Sequence, residues 1–364
     1  MDTEIPQPPY FWPVALLCLL GFALLWWFLL GQSRTARRRT LLRRIAALDA
    51  QAPDPLPLDL AGMQQTMAAA RRAAELAPQR TRFALYALPW FMFIGDAQAD
   101  LRGLLAAADE TAPDAAPRAG AFWQWRFLRS MIAIAIHPAA LADPANPREG
   151  ARWYRALLEL CERRRRLALN GVVVCVSTAL LLGDPKAAAA ACADLRARVD
   201  DVAKHLRLRL PVYLVVTGLE RLEGYERVRA TLPSEVLEQA LGHRVGGAPP
   251  GLSAGGRLDA LFDELSRRLD ALRMALLREQ PDAGSKLAVH RFVEQLHALQ
   301  PGLRAAAERL SEPRGSAALR WRGVYLTAAS TGTGGAFAWD LFAHFLPADQ
   351  PLAHSQTPRA ARTT

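Results

Sequence analysis

The chain has 364 residues, a formal net charge of +10 and 51% hydrophobic residues. This balance excludes a disordered chain, and the length allows a membrane anchor with one large or two small soluble domains. The positive charge is almost all arginine, with Lys186 the first lysine, and it clusters beside an apolar segment. An anionic lipid surface therefore explains it better than nucleic acid does.

Residues 1–10 form a short acidic N-terminus, and the run from Phe11 to Leu30 carries no charge. At ~1.5 Å rise per residue such a helix crosses a hydrocarbon core of about 30 Å. Arg34, Arg37, Arg38, Arg39, Arg43 and Arg44 follow at once. A cleaved signal peptide would carry its positive charge before the run and a small-residue site after it. The sequence thus predicts an uncleaved single-pass helix over 11–31 in a bacterial inner membrane, with a periplasmic N-terminus and the bulk of the chain cytoplasmic.

A juxtamembrane segment over 32–80 reads as two helices, 34–50 and 61–77, around a proline-punctuated linker. Buried strands are expected at Trp90–Ile94, Met131–Ile136, Val172–Ser177 and Val212–Thr217, with helices between them. Near-continuous apolar strands alternating with helices indicate a mostly parallel sheet covered on both faces, an α/β domain over 81–235. Residues 236–346, which contain a Gly/Pro break at 246–256, read as a helical extension. It holds helices at 257–279 and 285–310, one added strand at Val324–Thr327 and a last helix over 336–346. Residues 347–364 read as a disordered tail.

The stretch "LPWFMFIGDAQADLRGLL", Leu88 to Leu105, has the order of a phosphate-binding loop: buried strand, glycine turn, helix. After Gly95 and four residues a working loop continues Gly-Lys-Ser/Thr; here Asp100, Leu101 and Arg102 stand in those places. Asp100 brings a carboxylate to the phosphates, Leu101 removes the bridging amine, and Arg102 puts a cation at the magnesium site.

Four segments resemble, in order, the cytoplasmic region of the IcmF/TssM family of type VI secretion systems. They are Leu88–Gly95; Ile132–Pro138; Trp153 through Arg163–Arg166 to Asn170-Gly171-Val172; and Leu210–Tyr213 with Thr217 and Gly224-Tyr225. A later Arg322–Ala328 echoes the same family. The resemblance implies a P-loop NTPase-like sheet with a C-terminal helical extension. The family has three membrane helices and a large periplasmic region; the anchor here is expected to match the second of them, with no periplasmic counterpart. The family's Asp-Thr-Ala-Gly metal and switch motif becomes Ala135, Ile136, His137 and Pro138. Its Thr-Lys-x-Asp motif becomes Thr217, Gly218, Leu219 and Glu220.

Each charge-assisted phosphate contact is worth ~1.5–3 kcal/mol. Losing lysine and metal removes over ~5 kcal/mol, roughly a 10³–10⁴-fold loss in affinity. The expected function is a membrane-anchored pseudo-NTPase scaffold or accessory subunit, not an enzyme, with no cofactor, metal, small-molecule substrate or nucleic-acid partner. The alternative is a remodelled NTPase binding GTP or ATP. The resemblance implies TssL/DotU-like, baseplate and full-length IcmF/TssM partners. His137 reads as a turn residue, Arg163–Arg166 as a solvated helix end, and Thr331–Ala336 as a flexible loop. Phe122, Trp123 and Trp125 read as core or interface aromatics. The four cysteines, Cys18, Cys161, Cys175 and Cys192, read as small core residues.

Overall fold

A computed structural model describes residues 11–52, 54–76, 84–108, 121–143, 145–244, 254–279, 282–312, 320–329 and 335–355. Residues 11, 23–34, 74–76, 84–85, 254–258, 261 and 279 are described by backbone alone. Helix α1 (Phe11–Asp49) is continuous, where the sequence predicts a span and then a separate helix. Gly31 does not interrupt it, as an isolated glycine need not. Arg37, Leu41 and Ile45, one turn apart, are buried and form the stripe by which α1 packs on the domain. Among the described residues, no helix is long and apolar enough to cross a membrane. The second half of the expected span, residues 23–31, has its side chains outside the described set.

After α2 (Ala61–Leu76) and α3 (Ala84–Ala87) come β1 (Trp90–Gly95), α4 (Leu101–Ala108), β2 (Trp123–Phe127) and β3 (Ile132–Ile136). Then follow α5 (Pro147–Arg163), β4 (Gly171–Ser177), α6 (Thr178–Leu182), α7 (Pro185–Leu206), β5 (Leu208–Arg209) and β6 (Pro211–Thr217). The chain continues through α8 (Tyr225–Thr231), α9 (Ser234–Glu238), β7 (Leu241–Arg244), α10 (Ala254–Glu279), α11 (Ala283–Ala298) and α12 (Gln300–Ser311). It closes with β8 (Arg320–Leu326), a π-helical turn (Leu341–Phe345), α13 (Leu346–Ala348) and β9 (His354–Ser355).

Seven strands form one sheet in the order β2-β3-β1-β4-β6-β8-β7. The inner strands β3, β1, β4, β6 and β8 are parallel, and β2 and β7 close the edges antiparallel. Alternate residues of each strand feed two cores. Trp90, Met92 and Ile94 meet the larger core with Val172, Val174 and Val176. Phe91 and Phe93 meet the smaller one with Val173, Tyr213 and Tyr325. Helices α5, α7 and α10–α12 supply the larger core; α4 and the C-terminal residues Ala338–Leu346 cover the other face.

Both edge strands escape the expected pattern. β2 is five residues whose tryptophans alternate with Gln124 and Arg126, too short for periodicity to register. Trp125 packs edge-on against both Trp90 and Trp123, each at 5.3 Å, and the Trp123 indole donates to Asp59 O at 2.7 Å. Strands β7 and β8 carry the sheet past residue 235, so the expected extension completes the same sheet. The helix expected over 285–310 is two helices, divided where Pro301 enters the first turn of α12.

The tail expected to be disordered from 347 is folded as far as Ser355, and residues 356–364 lie outside the described set. Asp349 anchors it, with 3% of its side chain exposed. It accepts from Arg322 Nε at 2.8 Å and Nη2 at 3.1 Å, and from Arg244 and the Tyr213 hydroxyl. Farther on, β9 pairs antiparallel with β5.

The arginine run 163–166 also departs from expectation, because Arg164 is 1% exposed. Its guanidinium donates to Asn170 Oδ1 at 2.6 Å and to Leu88 O at 3.1 Å, and lies about 5 Å above the Tyr86 and Trp90 rings. Trp90 N–H donates to the same Asn170 oxygen at 2.9 Å. Segments far apart in sequence thus meet in one buried knot. Burial pushes the Arg164 pKa down to about 10, so it stays charged at neutral pH.

Candidate functional site

Among the inner parallel strands described, β1 sends its connection toward β2 and β3, whereas β3, β4 and β6 each lead the other way across the sheet. Right-handed crossovers then place α4 on the face opposite α5 and α7. The switch point falls at the carboxyl ends of β1 and β4, where open α/β sheets hold ligands. The loop from Gly95 to Leu101 lies there, beside Ser177.

That crevice is closed by the chain's own groups. Asp96 follows Gly95, and its carboxylate reaches across to the end of β4. Ser177 N–H donates to Asp96 Oδ2 at 2.6 Å and Ser177 Oγ donates to Oδ1 at 3.0 Å. The same Oδ1 accepts Gln98 N–H at 2.8 Å, which folds the loop down. Asp96 N–H donates to Cys175 O, and Ala99 N–H to Asp96 O. A Cβ placed on Gly95 would lie 2.8 Å from the Ala99 Cβ, so the turn has no hollow at its centre.

Asp100 completes the closure. Its Oδ1 accepts Gly103 N–H at 2.8 Å and its backbone carbonyl accepts Leu104 N–H, an N-cap of α4. A phosphate loop would turn those amides toward its ligand; here a side-chain carboxylate already meets the N-terminal partial charge. Leu101, where lysine would stand, is 5% exposed and packs into the smaller core with Phe91 and Phe93. Arg102 is exposed on α4.

The other expected positions line the same edge of the sheet. Ala135 and Ile136 are buried in β3. His137 is exposed, and its Nδ1 accepts Ala139 N–H at 3.3 Å, capping the short turn that Pro138 opens. Thr217 faces Ser177 in register, is 2% exposed, and its Oγ1 has no partner. Gly218 takes φ +98°, where Thr178 Oγ1 donates to its carbonyl at 3.0 Å. Glu220, 8% exposed, accepts Ala329 N–H at 2.9 Å and lies 3.8 Å from Arg221, tying the loop after β6 to the loop after β8. Thr331–Gly334 lie outside the described residues.

Asp96, Asp100 and Glu220 therefore crowd the carboxyl edge with negative charge while holding structure together. Sequence reasoning singled out Asp100 and Glu220 but not Asp96 or its partner Ser177. The available signal was an aspartate directly after the first strand's glycine, and it becomes meaningful only once β1 and β4 are known to be neighbours. Three cysteines lie outside this chemistry. Burial raises Cys175 well above the usual thiol range, with the Asp96 charge adding to it; burial likewise raises Cys192 to about 12 and Cys161 to about 11.

The fold defines a doubly wound α/β domain in which Asp96 and Ser177 bridge the carboxyl ends of β1 and β4. By sequence, the chain belongs to the IcmF-related N-terminal domain family, which it matches over residues 147–334, more than half its length. It is similar to the type VI secretion system component TssM1 of Pseudomonas aeruginosa, at 26% identity over 252 residues. That alignment covers 65% of this chain and 23% of the relative, so the chain spans about a quarter of the protein it matches. No solved structure matches it.

Proposed function

We propose that this chain is a membrane-anchored scaffold of a type VI secretion membrane complex, built on a P-loop NTPase-like sheet that no longer binds nucleotide. The observation that carries the reading is the Asp96 carboxylate bonded to Ser177 across the switch point. Nucleotide would have to displace it and the Asp100 cap, then accept their negative charge beside its phosphates. The secretion assignment rests on family membership and on the likeness to a secretion component.

The anchoring half of the proposal rests on α1. Trp12, Val14, Leu16, Leu17, Leu19, Leu20 and Phe22 are all 55–73% exposed, around every side of the helix. A helix apolar all round is stable only when something apolar surrounds it. An inner-membrane span with the N-terminus periplasmic supplies that environment. The domain would then meet TssL/DotU-like, baseplate or full-length IcmF/TssM proteins on the cytoplasmic side. Crosslinking in membranes of the native host, followed by capture of this chain, should recover a protein of that complex. Recovery of none would remove the secretion assignment.

A further inference from the structure

We propose a second membrane contact: a collar of arginines at the amino edge of the sheet that docks on anionic phospholipid headgroups. It rests on the reading of α1 as an anchor.

Helix α1 runs antiparallel to α5. Arg38 Nε lies 3.1 Å from Glu162, Arg155 grips Asp49 at 2.6 Å, and a Cβ on Gly150 would touch Leu48. The end of α5 therefore sits where α1 leaves the domain, and α5 leads into the start of β4. The amino edge of the sheet faces the apolar part of α1, and the closed crevice at the carboxyl edge faces away. From Arg37 back to Leu30 is about 10 Å at ~1.5 Å per residue, within the depth of a headgroup layer.

Separate segments bring arginine to that end. Arg37 donates to Ser355 Oγ at 3.5 Å, and Ser355 Oγ donates to Arg166 O at 3.4 Å. Ser355 pairs with Leu208, and its neighbour His354 with Arg209. The β5–β9 pair thus draws Arg209 beside the run Arg163–Arg166. Arg39, Arg163, Arg165, Arg166 and Arg209 are exposed. Two acids at this end are already engaged, Glu162 by Arg38 and Glu159 by Arg163 at 3.5 Å. A positive surface presented at headgroup depth is complementary to anionic lipid, and it is assembled from segments too distant to form one basic run.

The test places the full chain in vesicles of phosphatidylcholine alone or mixed with phosphatidylglycerol, and follows arginine modification by phenylglyoxal residue by residue. Anionic lipid should slow modification several-fold at Arg163, Arg165, Arg166 and Arg209, and salt should relieve it. Arg221 and Arg291, at the carboxyl edge, should not change. Arg165→Glu with Arg209→Glu, both exposed, should abolish the lipid dependence at Arg163 and Arg166. Equal rates in both bilayers, or protection only with an added oligonucleotide, would overturn the collar while leaving the anchor standing. Release of the chain by alkaline carbonate would overturn the anchor and the collar together.

Discussion

Asp96 and Ser177 hold the ends of β1 and β4 together through two hydrogen bonds, of 2.6 Å and 3.0 Å, to one carboxylate. The pair sits where the sheet's connections diverge, at the carboxyl ends of β1 and β4. Asp96→Ala leaves Ser177 N–H buried without an acceptor and frees Gln98 N–H. The expected cost is about 2–3 kcal/mol, read as a lower urea midpoint at unchanged slope. Asp96→Asn keeps one acceptor and should lose less. Equal stability of all three proteins would show that the pair does not hold the loop.

Asp349 should matter far more than its place near the chain's end suggests. Asp349→Ala strands Arg244 and Arg322 against the sheet and should cost roughly 3–5 kcal/mol. Ending the chain after Ser355 should cost little, whereas ending it after Leu346 should destabilise as strongly as the point mutation. Thermal unfolding of the three proteins checks this.

The same carboxyl sets an acid limit. Burial alone would raise its pKa, but hydrogen bonds from Arg322 and Tyr213 and the charges of Arg322 and Arg244 outweigh that and hold it below the usual range. A depressed folded-state pKa gives stability that is full above the unfolded value, near 4, and is lost as pH falls through the folded one. Wild type should therefore lose stability more steeply below about pH 4 than Asp349→Asn. Parallel acid-unfolding curves would contradict the assignment.

Arg164→Lys should not be conservative. A lysine cannot donate to Asn170 and Leu88 while lying flat on Tyr86 and Trp90, so a loss of about 2–4 kcal/mol is expected. In a double-mutant cycle, Arg164→Ala and Asn170→Ala should couple by more than ~0.5 kcal/mol. Additivity would separate the two residues.

The native cysteines report on α1. Cys161, Cys175 and Cys192 are held as thiols by burial, while Cys18 is exposed on the apolar helix. A water-soluble maleimide should label Cys18 in mild denaturant without lipid and fail to do so in a bilayer. Rapid labelling in bilayers would argue against a span.

The inner strands could be read from sequence because β-branched runs such as Val172–Val176 are buried on both faces and carry their own signal. The turn after Gly95 and the helix that follows it were legible for a similar reason, since each is local. What could not be read depends on partners far along the chain. Strand β7 exists because β8 returns to the sheet, and β9 because β5 is free to pair. Arg164 looks like any solvated arginine until Asn170 and Trp90 fold over it. Asp96 is an ordinary loop aspartate until Ser177 is placed opposite it. The loop after β1 could be singled out from its sequence, but the bond from Asp96 to Ser177 was invisible until the order of the strands was known.

The central claim is that the crevice is filled from within. It is tested most directly by titrating the full chain, in lipid nanodiscs with Mg²⁺, against ATP and GTP by calorimetry. The account predicts no saturable binding tighter than about 1 mM, for wild type and for Asp96→Ala alike, because Leu101 and Asp100 remain. Mg²⁺-dependent binding of either nucleotide at micromolar concentration would contradict it.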